Sequence, residues 1–442
     1  MFIKFEFGNF RSFRDKQVFS MEAMRLRPND NRLGENNVFE SAGLRLLKSK
    51  AIFGGNASGK SNLAKAIAVF QMMVDRSVAQ EDLSAQVWND RFQLVTDWDD
   101  QPVFFQYFFL MDGIIYRYGF QVLGTAISYE WLYAGSEGGE IEFFLRGPDG
   151  MNVNHEAFPN ADQFFRQRWE VENELYRTDS LFLTAAALYS NKILGRVRAE
   201  IRNIISVHGV YNGSAVHFAI ANYINGSEEK KKALIDLLAA ADTGVEDLLM
   251  DELPDHLANR QAKSAASEKI EYRTRSLISL HSVYDWDGNK TGSKLTPFGA
   301  WESEGTGKLL GIGAVVLDAL AHGGVIVVDE FDASLHPNLL LKLVELFQEE
   351  KTNPHQAQLI FITHDSGLLR RADLRRDQIC FVNKDRYGVS SAVNLVEFKG
   401  VRKDASYDKE YLNGTYTGIP YLDRIGQVVV ASNENDGLQE AG

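Results

Sequence analysis

Apolar and polar residues alternate along the first ten positions, MFIKFEFGNF, a period of two that predicts a strand and not a secretory leader. Two or three short strands fill residues 1–50, and LRLLKSKAIFGG then reads as one buried strand. From residue 59 to 80 the period lengthens to that of a helix, with Leu63, Ile67, Val69, Phe70 and Met73 on one side. Between Val103 and Leu145 the period returns to two in aromatic-rich runs, VFFQYFFLMDGIIYRYGFQV, ISYEWLYA and EIEFFLRG. The DG and GG pairs between them predict antiparallel hairpins.

Residues 155–290 turn to helical spacing. TDSLFLTAAALYSNKILGRVRAEIRNII is expected to open on a cap at Thr178 or Asp179. SEEKKKALIDLLAAADTG is expected to start on Ser227 and stop at Gly244, with Leu234, Ile235, Leu238 and Ala241 on its apolar side. DELPDHLANRQAKSAASEK has the polar, small-residue composition of an exposed connector. Past residue 295 the pattern alternates helix, strand, helix, strand, as a doubly wound parallel sheet requires. The most apolar stretch, Leu309–Val328, is broken by Asp318, His322 and Gly323–Gly324, so it predicts a helix, a turn and a strand in place of a membrane span. No internal repeat and no sustained heptad is present. The fold class expected from these patterns is α/β: a mostly parallel sheet with an antiparallel β subdomain and a helical insert.

With 442 residues, 45% hydrophobic and 24% charged, the chain has ordinary globular composition and length for two or three compact units. A net charge of -13 argues against a general attraction to nucleic acid or anionic lipid, while leaving a local basic groove open. RRADLRRD (Arg370–Asp377) and KGVRKD (Lys399–Asp404) are the candidates for such a groove, although solvated helix and loop charges explain them as well. The single cysteine, Cys380 in DQICFVNKD, excludes an intramolecular disulfide, fits a reducing cytoplasm and reads as a small buried strand residue. Histidines are scattered singly, with no zinc spacing. Aromatic strands over 104–133 read as core and not as a base-stacking platform.

Chemistry concentrates in four places. GGNASGKS, Gly54 to Ser61, is G-x-x-x-x-G-K-[ST] set between an apolar strand and a helix. There Gly54, Gly55, Asn56, Ala57, Ser58 and Gly59, continuing into Asn62, would wrap backbone N–H groups around ATP phosphates. Lys60 would add a point charge at the β/γ-phosphates, and the Ser61 hydroxyl would ligate Mg²⁺. GGVIVVDEFDASLHP puts four apolar β-branched residues before Asp329–Glu330, as in a central strand whose carboxyl end faces a ligand. Asp329 would hold Mg²⁺ through a water, and Glu330 would orient and deprotonate the attacking water. AQLIFITHDSGLL repeats the strand-end arrangement with His364, a candidate γ-phosphate contact. FGAWESEGTGKLL sets a polar, glycine-bearing start before a long apolar helix, a suitable place for an anion to dock.

The order of these pieces resembles ABC-type ATPases of the SMC/RecF/OLD group, P-loop NTPases of the ABC-ATPase head type. In that pattern Ser303-Glu304-Gly305-Thr306 occupies the signature position and Ala333-Ser334-Leu335-His336 the loop after the acids. The resemblance implies that Ser303, Gly305 and Thr306 contact the γ-phosphate held by a second copy, and it places the Mg²⁺-contacting glutamine at Gln93 in RFQL. NFRSF, Asn9 to Phe13, corresponds to a loop near the nucleotide base, although an ordinary strand-to-strand bend fits equally. A longer likeness, through NFRSFRDKQVFSM, YRYGFQV, EGTGKLL, DEFDASLHP, THDSGLL, RRDQICFVNKD, FKGVRKD and YLNGTYTGIP, is to stand-alone bacterial ATPases of abortive-infection loci. Those are often found beside a separate nuclease-like protein of the RloB or TOPRIM sort.

The implied organisation is an ATPase lobe over 1–150, a helical insert over 151–294, and a second lobe over 295–442. The chain departs from the SMC pattern in having no heptads for a DNA-tethering arm, and from the OLD pattern in having no acidic cluster after THD for a nuclease. It also has Thr415 where the family tends to have arginine. The implied function is a cytoplasmic, Mg-ATP-driven homodimeric switch acting as sensor or scaffold for a nuclease-like effector in phage defence. The alternatives are a RecF-like repair ATPase that binds DNA, and a module in which nucleotide is structural.

Overall fold

The computed structural model describes residues 1–25, 36–136, 139–154, 156–157, 177–188, 192–207, 214–252, 275–401 and 406–416. The expected connector lies largely outside them, as do the last three residues of KGVRKD and the end of YLNGTYTGIP.

The chain opens with β1 (Phe2–Gly8), β2 (Gln17–Ser20), β3 (Val38–Ser41), β4 (Leu44–Leu47) and β5 (Ser49–Phe53). Helices α1 (Lys60–Arg76) and α2 (Leu83–Asn89) follow. Then come β6 (Val103–Met111), β7 (Ile114–Leu123), β8 (Ala126–Ser136), β9 (Gly139–Gly147) and β10 (Gly150–Val153). The middle of the chain forms α3 (Phe182–Leu188), α4 (Lys192–Arg202), β11 (Ile204–Val207), α5 (Ser214–Ile224), α6 (Glu228–Ala239), β12 (Asp247–Glu252), β13 (Arg275–Tyr284) and β14 (Lys290–Pro297). Last are α7 (Phe298–Trp301), α8 (Glu304–His322), β15 (Val325–Val328), α9 (Pro337–Gln348), β16 (Gln358–Ile362), α10 (Leu368–Arg371), β17 (Ile379–Lys384), β18 (Ser390–Asn394) and α11 (Tyr407–Leu412).

Two large sheets organise the molecule. One is antiparallel, in the order β10-β9-β8-β7-β6-β1-β2; the other runs β11-β15-β16-β5-β17-β18, parallel except for β18. The parallel strands carry continuous apolar runs because both of their faces are covered. Ile52, Val325, Val327, Ile360, Ile362 and Cys380 enter the cluster that includes α1 and the antiparallel sheet. Phe53, Ile326, Val328, Phe361 and Phe381 enter the cluster under α8 and α9. Phe70 of α1 sits among Phe5, Phe105, Tyr107, Tyr118 and Phe120, so this helix lies against the antiparallel sheet. Gln358 ties the sheets together: its amide accepts from Phe2 N at 2.7 Å and donates to Phe2 O at 3.0 Å, all buried. Of the five apolar positions expected on α1, Val69 alone is only partly buried.

Four expectations are corrected. LRLLKSKAIF is two strands, not one, because β4 pairs with β3 while β5 enters the parallel sheet after Lys48 donates to the Gln348 carbonyl at 2.9 Å. Residues 151–294 are not purely helical, since β11 adds to the parallel sheet and β12, β13 and most of β14 form a three-stranded sheet. Neither Thr178 nor Asp179 caps the helix after TDSLF. Buried Glu130 of β8 does so, accepting from Phe182 N at 2.6 Å and Leu183 N at 2.9 Å, with Tyr118 and Arg146 beside it. Finally, Arg375 of RRADLRRD is only 4% exposed, bonded to Asp377 at 2.7 Å and to the Met24 carbonyl, so it cannot line a nucleic-acid groove.

Among the described residues no helix is long and apolar enough to cross a membrane. Cys380 is buried in β17, which pushes its thiol up to about 11.

Candidate functional site

The site begins where β5 leaves the sheet. Gly54, Ala57 and Gly59 all have positive φ, at 156°, 61° and 113°, which coils the segment back on itself before α1 starts. A Cβ at Gly59 would lie 2.4 Å from Ser390 Oγ and 2.8 Å from Ser12 Oγ, and one at Gly54 would lie 2.4 Å from the Val382 carbonyl. Ser390 and Ser12 are themselves locked: Ser390 Oγ lies 2.6 Å from the Ser58 carbonyl, and Asn62 Nδ2 donates to Ser12 Oγ at 2.8 Å. From below, Tyr411 of α11 stacks on Phe381 at 5.3 Å and its hydroxyl meets the backbone of Gly54. NFRSF therefore supports the loop from behind, through Ser12. Gly59→Ala is expected to cost at least about 1–3 kcal/mol from backbone strain alone, read as a lowered Tm.

Lys60 opens α1 and is 4% exposed. Its Nζ donates to the carbonyls of Gly54 at 2.6 Å and Gly55 at 2.8 Å. Burial pulls its pKa down to about 8, against the opposing pull of Asp329 and Asp332. Ser58 Oγ is buried with no hydrogen-bond partner. A glycine-relieved loop, a buried ammonium with only neutral carbonyls for partners, and an orphan hydroxyl together fit an anionic ligand. Ser61 follows Lys60 on the first turn of α1.

Asp329 and Glu330 emerge from β15. Asp329 is 6% exposed, its N–H donates to the Val207 carbonyl at 2.9 Å, and its Oδ1 accepts from Glu330 N at 3.0 Å. Strand β11, absent from the expected pattern, thus fixes the acid's backbone. Glu330 has φ 53°, a left-handed conformation uncommon for a residue of its size, and its side chain is exposed. Its carbonyl accepts from Lys308 Nζ of α8. Lys308 is 2% exposed, and burial lowers its pKa against Asp332, Glu330, Asp329 and Glu304. Asp332, one turn on, accepts from His364 N at 3.0 Å and so ties the end of β16 to the acidic loop, leaving the imidazole exposed. No group of three or more His, Cys, Asp or Glu able to hold a metal occurs among the described residues.

Ser303 caps α8: its Oγ accepts from Thr306 N at 3.0 Å, and it is exposed. Gly305 presses on the next loop, where a Cβ would come 2.5 Å from the Ser334 carbonyl. The hydrogen bonds of Ser303 and Thr306 run to each other, and none joins them to Gly54–Asn62 among the described residues. The structure therefore brings Lys60, Asp329 and Asp332 into one electrostatic cluster, links it to Glu330 and His364 through the acidic loop, and leaves the α8 start facing outward. Gln93 is exposed and donates to the Asn89 carbonyl at 2.7 Å, with no hydrogen bond to the cluster. Sequence reasoning missed Asp332, Lys308, Ser12, Ser390 and Tyr411. Ser12, Lys308, Asp332 and Tyr411 lie inside quoted motifs, but nothing in their spacing says what they touch.

A family model described as "AAA domain, putative AbiEii toxin, Type IV TA system" matches residues 51–370. No curated protein matches the chain. A solved structure described as the dimeric, post-hydrolysis state of the ATP-binding cassette MJ0796 bound to ADP and Pi is 12% identical, covering 89% of this chain and 100% of that one. Its TM-score is 0.29, too low to carry weight.

Proposed function

The chain belongs to this AAA-domain family of ATPases, and from that premise we propose that it hydrolyses Mg-ATP at sites shared between two copies. Each triphosphate would lie on the Gly54–Asn62 loop of one copy and under the Ser303–Thr306 helix start of the other. The observation that carries this reading is the pairing, in one chain, of a coiled glycine loop around a buried, carbonyl-bonded Lys60 with an exposed, serine-capped helix start that makes no hydrogen bond to it. The N-terminal end of a 19-residue helix favours an anion, and no hydrogen bond joins that end to the chain's own Gly54–Asn62 loop.

Ser61 and Asp329 would hold Mg²⁺, which would supply charge neutralisation at the phosphates. Lys60 would hold the β/γ-phosphates, Glu330 would take the proton of the attacking water, and His364 would contact the γ-phosphate. On this reading residues 1–150 and 295–442 are the ATPase lobes. Residues 151–294 are an insert that also lends β11 to the core. The biological role that fits best is a sensor or scaffold restraining a separate nuclease-like effector in an anti-phage system. The DNA-clamp alternative loses one arginine of RRADLRRD in Arg375, which is buried.

Mixing tests the shared site. Lys60→Ala and Ser303→Ala copies are each expected to be inactive alone, because each lacks one half of both sites. Their heterodimer retains one complete site and should regain up to about a quarter to a half of wild-type turnover. Ser303→Ala removes a cap worth about 1 kcal/mol, too little to unfold the protein. A mixture as silent as its components would overturn the shared site.

A further inference from the structure

The residue immediately before Ser303 is buried although its neighbours are not. Glu302 has a side chain only 7% exposed, whereas Trp301, Ser303 and Glu304 are exposed. A carboxylate is costly to bury unless it is paired. Its partners come from β13: Ser279 Oγ donates to Glu302 Oε1 at 2.7 Å, and His281 Nε2 lies 2.7 Å from the same oxygen. The other ring nitrogen of His281, Nδ1, lies 2.9 Å from the carbonyl of Gly244, a left-handed residue in the connection between α6, which ends at Ala239 and not at the expected Gly244, and β12. A single N–H on Nε2 is enough to meet the Glu302 carboxylate. Ser279 is fixed in turn by Thr296 of β14, its Oγ lying 3.0 Å from Thr296 Oγ1.

The chain reaches the α8 start from β14 through a single turn of helix, α7, whose Phe298 carbonyl accepts from Glu302 N at 2.9 Å. One peptide unit separates the pinned carboxylate residue from Ser303. Ser303 is exposed and needs its hydroxyl and the neighbouring N–H groups held in one direction without help from its own P-loop. We infer that His281 is a positioning residue for the phosphate-facing helix start: by holding Glu302 it fixes the direction in which Ser303, Gly305 and Thr306 are presented to the second copy. The inference rests on the shared-site reading above and extends it to the sheet β12-β13-β14, which becomes the rigid mount of the signature. The ring touches no reacting atom, so its contribution is through Glu302 alone.

The test uses full-length chains. His281→Ala is expected to bind ATP as wild type does, because the P-loop is untouched, and that binding also reports that the variant is folded. Its turnover should fall by about tenfold or more, the scale for a misplaced transition-state contact. His281→Gln, whose amide can still donate to Glu302, should recover most of the loss. Mixed with Lys60→Ala copies, His281→Ala copies should regain turnover, since the partner supplies a well-held Ser303; mixed with Ser303→Ala copies they should not. Near-normal turnover by His281→Ala overturns the inference. So does a silent mixture with Lys60→Ala under conditions where Ser303→Ala and Lys60→Ala complement each other. If that control pair stays silent too, the shared site itself has failed and the inference falls with it.

Discussion

Lys60→Ala is expected to reduce ATP turnover by about 10²–10³-fold or more, the scale for losing one preorganised charge in a water-poor site. The ammonium is buried and held only by two carbonyl oxygens, at 2.6 and 2.8 Å, which are weak substitutes for charged phosphate oxygens. Without nucleotide, burial holds its pKa near 8. Bound phosphate would restore it to well above that value. Below pH about 8 the lysine is charged in both states and binding is insensitive to its proton. As pH rises through about 8 the free protein loses that proton, so binding takes one up and weakens towards tenfold per pH unit. Titration calorimetry in buffers of different ionisation heat should find uptake approaching one proton at about pH 9.5 in the wild type, an uptake that Lys60→Ala lacks. The same displacement fixes a sign for stability. The unfolded lysine titrates near 10.5, so between about 8 and 10.5 the unfolded chain binds more protons, and Lys60's contribution makes the nucleotide-free fold gain stability with rising pH. An uptake equal in wild type and variant would show that Lys60 does not carry the phosphate charge.

How much of this could be seen in the sequence depends on how local each cause is. The strands Ser49–Phe53, Val325–Val328 and Gln358–Ile362 were legible because a strand covered on both faces is mostly apolar, and the structure buries all of them, polar Ser49, Lys50 and Gln358 included. Ser227 was legible because a cap bonds an N–H three residues away. The cap of α3 was not, since Glu130 arrives from another sheet strand more than fifty residues earlier in the chain. Nor was β11, only four residues long and stable because β15 lies beside it. The same blindness hid Asp332, Lys308 and His281, each of which works through a neighbour brought in by the fold. Arg375 looked like a surface charge because its partners, Asp377 and the Met24 carbonyl, bury it only in the folded chain.

Glu330→Gln separates nucleotide capture from nucleotide turnover. The substitution keeps the shape of the side chain, the Glu330 N–H donated to Asp329 and the Glu330 carbonyl that accepts from Lys308. What it removes is the only exposed carboxylate carried directly on the end of β15, and with it the proton acceptor for water, worth about 10²–10⁴-fold in rate. Binding through Lys60, Ser61 and Asp329 should be undiminished, so the variant should stop after assembly and before cleavage. Each chain carries a net charge of -13, so two copies repel unless something at their interface outweighs the repulsion. A triphosphate gripped by Lys60 on one side and by the Ser303 helix start on the other does so only while it is intact. Size-exclusion with light scattering should therefore find Glu330→Gln at the 49.7 kDa of one chain without ATP, and at twice that with Mg-ATP. Adding Lys60→Ala to the same chain should abolish the shift, because the triphosphate is no longer held. Monomers both with and without Mg-ATP would mean that the outward-facing helix start serves some purpose other than the partner's phosphate.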